Sequence, residues 1–186
     1  MKLSSRLQKF NEPETLKMAK LGRELRAKGI DVIDLSLGEP DFNTPEHVKQ
    51  YAKKAIDDNY SHYTPVAGYA ELREAVCTKL KRDNNLDYKP ENIIASTGAK
   101  QSLANVILAM VDTGDEVIIP TPYWVTYSEL VRLADGKPVF VQSSIESDYK
   151  ITPAQLEAAI TSKSKLFLFS SPCNPSGSVY SREELR

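Results

Sequence analysis

Apolar positions along this chain alternate between short continuous runs and stripes at helical spacing, and that alternation predicts its elements. Met18, Leu21 and Leu25 share one face of a helix opened by Pro13-Glu14, with Gly29 where a C-terminal cap belongs. Ile30–Leu37 (IDVIDLSL) reads as a strand. Thr44 as N-cap, with Pro45 at the first helical position, starts a helix whose Val48, Tyr51, Ala52, Ala55 and Ile56 form a stripe for burial. A loop over residues 59–68 leads into a helix with Leu72, Ala75, Val76 and Leu80 on one side.

From residue 92 the rhythm becomes regular. Ile93-Ile94-Ala95 forms a short strand that ends at Ser96-Thr97-Gly98, and Leu103, Val106, Ile107 and Met110 then mark a helix face. A strand at Glu116–Pro120 follows, then a helix with Tyr127, Leu130, Val131 and Ala134 in phase, then a strand at Pro138–Val141. Thr152-Pro153-Ala154-Gln155 is a capping box that opens a helix through Ile160. The run Lys165–Ser170 (KLFLFS) has the composition of a strand covered on both faces. This order predicts an α/β fold, a mainly parallel sheet flanked by helices and joined by right-handed crossovers. Ligands of such sheets gather beyond the carboxyl ends of the strands. A second capping box, Ser181-Arg182-Glu183-Glu184, opens a helix that the chain leaves after scarcely one turn. The expectation is that the 186 residues are the front part of a longer protein.

Composition narrows the class. The chain is 41% hydrophobic and 26% charged, as in an ordinary globular protein. A formal net charge of -1 gives no electrostatic reason to expect nucleic acid or an anionic membrane as partner. Cys77 and Cys173 form no CxxC, which fits reduced thiols in a cytoplasmic protein. No apolar run reaches transmembrane length, and the first residues lack the apolar core of a secretory signal.

Four loops carry candidate chemistry. Gly98 has no Cβ, so the chain can turn sharply there and present the amides of Ala99, Lys100 and Gln101 at the positive end of a helix dipole. Such a cup suits a phosphate or carboxylate, although a plain strand-to-helix connection has the same form. It matches neither GxxxxGK[ST] nor GxGxxG. Trp124, in Thr121-Pro122-Tyr123-Trp124, is a flat ring that either covers a planar ligand or closes the edge of the core. Asn174, in Ser171-Pro172-Cys173-Asn174-Pro175-Ser176-Gly177, offers a donor and an acceptor, or serves an Asx-Pro turn. Gly38 would let a ligand carboxylate reach a backbone amide, or simply turns the chain. His47 and His62 lack partners at ligand spacing, so no metal is expected.

Taken together these loops are more specific. S-L-G-E-P-D-F, Y-T-P-V-A-G-Y-A-E-L-R-E-A, T-G-A-K-Q, P-Y-W and S-P-C-N-P-S-G stand in the order and relative positions seen in fold type I pyridoxal-phosphate aminotransferases. The chain resembles the N-terminal portion of the class I, aspartate aminotransferase-like group, bacterial branch. That resemblance implies that residues 1–40 join a small domain and that 41–186 form the first part of the large pyridoxal-phosphate-binding domain. It implies that Gly98, Ala99 and Lys100 hold the cofactor phosphate, that Trp124 stacks on the pyridine ring, and that Asn174 bonds the cofactor 3-oxygen. It places Gly38, Lys100, Trp124 and Asn174 around an amino acid substrate, with Lys100 at the distal carboxylate of aspartate or glutamate. Tyr63 would reach the other subunit's cofactor phosphate across a homodimer. The family's Schiff-base lysine, in an S-x-x-K motif, would lie beyond Arg186, so none of these residues is expected to be that catalytic lysine. Lys100 does not replace it: beside a phosphate its ammonium is favoured, whereas a Schiff-base amine needs its neutral form. The alternatives are another reaction of the same fold, an aromatic or prephenate-type aminotransferase or a β-eliminase, or a truncated fragment without catalysis.

Overall fold

The computed structural model describes residues 14–35, 38 and 40–186, in two compact units, Glu14–Thr97 and Gly98–Arg186. Pro13, Ser36, Leu37 and Glu39 lie outside the described residues.

The unit Glu14–Thr97 is helical. It contains α1 (Glu14–Ala27), α2 (Glu46–Asp57) and α3 (Ala70–Asn84). On α1, Arg26 pairs with Asp34 at 3.4 Å and donates to the Val32 carbonyl, which holds the following segment against the helix. Residues 30–35 join no ladder, contrary to the expected strand, and Ile33 and Leu35 are exposed. Ile93–Ala95 also lies outside any ladder; Ile93 N–H donates to the Pro90 carbonyl at 3.1 Å and Ala95 N–H to the Ala67 carbonyl at 3.0 Å. A β-branched run becomes a strand only where another strand offers its backbone groups, and among the described residues none does so at these two places. The cap of α2 differs as well. Pro45 is the N-cap and no side chain caps the helix, so Thr44 does not take that role. No residue of α2 is buried, and Tyr51 and Ile56 of its apolar stripe stand open to solvent.

The unit Gly98–Arg186 carries the sheet. Its elements are α4 (Ala99–Met110), β1 (Glu116–Thr121), α5 (Thr126–Leu133), β2 (Lys137–Gln142), α6 (Pro153–Ala159) and β3 (Ser164–Phe167). The sheet is parallel throughout, with strand order β2-β1-β3. Register runs from Glu116 opposite Lys137 to Thr121 opposite Gln142, with an irregularity in the β1–β3 pairing beside Glu116. β1 is the central strand, and five of its six residues are buried, as its Val-Ile-Ile run requires. Val117 and Ile119 pack with Ile107 and Val111 at the end of α4 and with Tyr127 and Val131 of α5. Full burial of each such aliphatic side chain contributes roughly 1.5–3 kcal/mol. β3 departs from its expected two-sided cover. It is an edge strand whose burial alternates, and Phe167 keeps 39% of its surface exposed.

The capping box of α6 forms in full. Thr152 Oγ1 accepts from Gln155 N–H at 3.3 Å, and Gln155 Oε1 accepts from Thr152 N–H at 2.9 Å. At the chain end, Ser181 and Glu184 make the same reciprocal pair, around a turn rather than a regular helix.

The amino-terminal edge of the sheet is closed by a buried carboxylate. Glu116 accepts from Lys137 Nζ at 2.9 Å and from Thr161 Oγ1 at 2.7 Å, so one side chain ties β1 to β2 and to the turn before β3. The Lys137 bond, then the Thr161 bond, holds its carboxyl below the ordinary glutamate value. A depressed acid contributes stability above its unfolded-state pKa, and that contribution disappears as pH falls through the folded value. Urea unfolding of the protein and its Glu116→Gln variant will therefore show the variant weaker at pH 7, with the gap closing below about pH 4.3, the unperturbed glutamate value. A gap that stays constant from pH 7 to pH 3 would remove the carboxylate from this role.

Candidate functional site

Three chain segments meet at the carboxyl-terminal side of β1 and β3. The first is the start of α4. Gly98 is its N-cap, with φ 82° and ψ 167°. The Gly98 carbonyl accepts from Gln101 N–H at 3.2 Å and from Ser102 N–H at 3.4 Å, so the Gln101 amide is not free, contrary to expectation. The amides of Ala99 and Lys100 donate to no group among the described residues. Two open donors therefore remain at the positive end of a helix dipole, the arrangement that the expected anion cup would need.

The second segment is Thr121–Val125, directly after β1. Trp124 is half-buried and packs on the sheet core, and its ring meets Tyr127 edge-on at 5.7 Å and 78°. Lys100 Nζ lies 5.4 Å from the centre of the Trp124 ring. The cup and the indole are therefore neighbours, joined by a cation–π contact. The core-edge reading of Trp124 holds, since the ring packs on the sheet core, and the Lys100 ammonium stands over its ring.

The third segment follows β3. Cys173 N–H donates to the Ser178 carbonyl at 2.9 Å and Gly177 N–H to the Cys173 carbonyl at 2.7 Å, which closes a tight loop around Asn174. Asn174 N–H donates to Ser170 Oγ at 3.3 Å, while its exposed side-chain amide bonds no group among the described residues. Cys173 Sγ approaches the Pro122 carbonyl at 3.4 Å, two residues before Trp124. This contact joins the asparagine loop to the tryptophan loop. The thiol is free and half-buried, packed between the two loops.

The remaining two candidates belong to the other unit. Gly38 has no heavy atom within 4 Å of the position a Cβ would take. Tyr63, in the loop between α2 and α3, is fully exposed. A separate apolar groove of about 400 Å³, lined by Leu156, Phe167, Phe169 and Tyr180 among others, holds none of the candidate residues. No group of three or more His, Cys, Asp or Glu side chains among the described residues could hold a metal ion.

The family model described as "Aminotransferase class I and II" matches residues 30–186. The chain belongs to this family. An aspartate/prephenate aminotransferase of Nitrosomonas europaea is 50% identical over 186 residues, covering 100% of this chain and 47% of that protein. The aspartate aminotransferase of Bacillus subtilis is 48% identical over 185 residues, covering 100% of this chain and 47% of the relative. Among solved structures, the aspartate aminotransferase of Rhizobium meliloti superposes with a TM-score of 0.96 at 44% identity, over 100% of this chain and 46% of that one. The Thermus thermophilus aspartate aminotransferase with maleate gives 0.95 at 43% identity, over 100% and 48%. This aminotransferase-family chain thus spans about half the length of the curated relatives it matches, in the N-terminal part, as the resemblance implied. Their structures share its α/β architecture.

Two side chains of this aminotransferase-family chain escaped the sequence. Tyr123 and Ser128 bracket Trp124 and hydrogen-bond to each other at 3.1 Å. The position of Tyr123 beside the tryptophan was the only available signal, because a serine five residues on has no motif to mark it.

Proposed function

We propose that the protein containing this chain is a cytoplasmic, homodimeric pyridoxal-phosphate aminotransferase that moves an amino group between aspartate or glutamate and a 2-oxo acid. The observation that carries this reading is the convergence of the α4 start, Trp124 and the asparagine loop, linked by the Lys100–Trp124 and Cys173–Pro122 contacts. The donor set fits the cofactor. Open amides at Ala99 and Lys100 suit its phosphate, and the indole of Trp124 suits its flat ring. The Asn174 amide, without another partner among the described residues, suits its 3-oxygen. When bound, pyridoxal phosphate supplies the electron sink for the charge left when the substrate Cα–H bond breaks.

Lys100 acts through two atoms in this reading. Its backbone N–H belongs to the phosphate cup, and its Nζ pairs with the distal carboxylate of the substrate. The Asn174 amide also approaches the α-carboxylate, and Gly38 offers that carboxylate a backbone amide. Tyr63, exposed in its own unit, reaches the cofactor phosphate of a second subunit. Residues 1–40 join a small domain, and 41–186 form the first part of the large one.

Purified full-length protein supplied with pyridoxal phosphate should convert aspartate and 2-oxoglutarate to oxaloacetate and glutamate. Absence of amino transfer from both aspartate and glutamate, in protein that binds the cofactor, would overturn the substrate assignment. A second acceptor is favoured by the relative named aspartate/prephenate aminotransferase at 50% identity. Prephenate also carries a second carboxylate for Lys100 to pair with, so the same assay run with prephenate as acceptor tests it.

A further inference from the structure

The hydroxyl of Ser128 ties together the two residues on either side of Trp124. Ser128 stands in the first turn of α5 and is 2% exposed. Tyr123 Oη donates to Ser128 Oγ at 3.1 Å, and Ser128 Oγ donates to the Val125 carbonyl at 3.3 Å. One buried oxygen thus links the side chain before Trp124 to the backbone after it. The Trp124 carbonyl is fixed in turn, accepting from Tyr127 N–H at 2.9 Å.

The rings around this short chain of hydroxyls complete a brace. Tyr123 stacks on Phe140 of β2 at 5.1 Å and 21°, so its hydroxyl is aimed by the sheet rather than left to swing. Trp124 meets Tyr127 edge-on, which limits rotation of the indole about its own side-chain bonds. Packing alone does not ask for either oxygen. A phenylalanine at 123 would keep the stack on Phe140, and an alanine at 128 would fill a buried helix position without the cost of desolvating a hydroxyl. The two polar groups satisfy each other, and their geometric effect falls on the residue between them.

We propose that Tyr123 and Ser128 are positioning residues that hold the Trp124 indole at the angle at which a flat aromatic ligand stacks on it. This rests on the assignment of Trp124 as the cover of the pyridoxal-phosphate ring.

The test uses the full-length protein, Tyr123→Phe, Ser128→Ala and the double variant. The near-ultraviolet circular dichroism and acrylamide quenching of Trp124 are isolated by subtracting the spectrum of a Trp124→Phe protein. Pyridoxal phosphate affinity of the cofactor-free protein is measured by equilibrium dialysis, and thermal midpoints are recorded beside it. Tyr123→Phe should reduce the Trp124 dichroism band, raise its quenching and weaken cofactor binding roughly fivefold, the factor expected for one lost hydrogen bond. The double variant should be no weaker than the worse single, because both remove the same link. Wild-type Trp124 signals in Tyr123→Phe would overturn the positioning role, and that variant decides alone if Ser128→Ala does not fold. A wild-type protein that binds no pyridoxal phosphate would overturn the proposed function instead, while a changed Trp124 signal in the variants would still show the brace.

Discussion

Replacing Lys100 with alanine in the full-length protein will weaken its use of aspartate and glutamate by roughly 10- to 100-fold, while neutral amino acids change by no more than about threefold. A hydrogen bond to a charged group is worth about 1.5–3 kcal/mol, and each 1.4 kcal/mol is tenfold. The contact that Lys100 makes here, 5.4 Å over the Trp124 ring, is weaker. Cation–π pairs at exposed sites contribute about 0.5–1 kcal/mol, so an incoming carboxylate outcompetes the ring for the ammonium. Alanine keeps the backbone N–H at position 100 and suits a first helical turn, so cofactor affinity should stay close to wild type. Steady-state kinetics with aspartate, glutamate and alanine as donors, alongside a cofactor titration, separates the two atoms of this residue. Equal losses for acidic and neutral donors would remove Lys100 from the distal carboxylate.

How far the sequence carried the fold depended on how local each signal was. The Thr152–Gln155 box needed only four residues, and it forms with both of its bonds. The Val-Ile-Ile run of β1 also stands where expected, because parallel neighbours on both sides bury it. Ile30–Leu37 and Ile93–Ala95 have similar composition, yet their described residues join no ladder, because pairing is decided by segments far away in sequence. The stripe of α2 shows the same limit for helices. Its spacing identified an apolar face correctly, but spacing carries no information on what covers that face, and Tyr51 and Ile56 are exposed.

The candidate site follows the same rule at finer scale. The strand-end loops of Trp124 and Asn174 were legible because parallel sheets collect ligands at that end. The links that register those loops were not. The Cys173 approach to Pro122 spans 51 residues, and the Tyr123–Ser128 bond crosses a turn whose shape no motif encodes. A glycine turn announces itself by what it lacks, whereas a thiol or a serine announces nothing until its partner is in place.

Gly98→Ala should be the most damaging single change at the cup, through two separable effects. The dihedrals of Gly98, φ 82° and ψ 167°, lie in a region that is essentially reserved for glycine, where another residue costs about 1–3 kcal/mol. Crowding within the protein adds nothing, because no heavy atom lies within 4 Å of the added carbon. The added methyl group instead projects into open space at the N-cap, next in sequence to the two residues whose amides would hold the phosphate in the proposed site. Gly114 separates strain from obstruction. It too has a positive φ, 93°, and open space around its Cβ position, but it lies in the turn before β1, at the opposite end of that strand. Both variants should lose thermal midpoint, by about 2–4 °C per kcal/mol if the protein unfolds as a domain of 150–250 residues. Only Gly98→Ala should also lose pyridoxal phosphate affinity, by roughly tenfold or more, since at least one amide bond to a charged oxygen is broken. Paired melting curves and equilibrium dialysis of the two variants decide the matter. Equal affinity losses would mean that the glycine serves the fold alone, and that the amides behind it hold no phosphate.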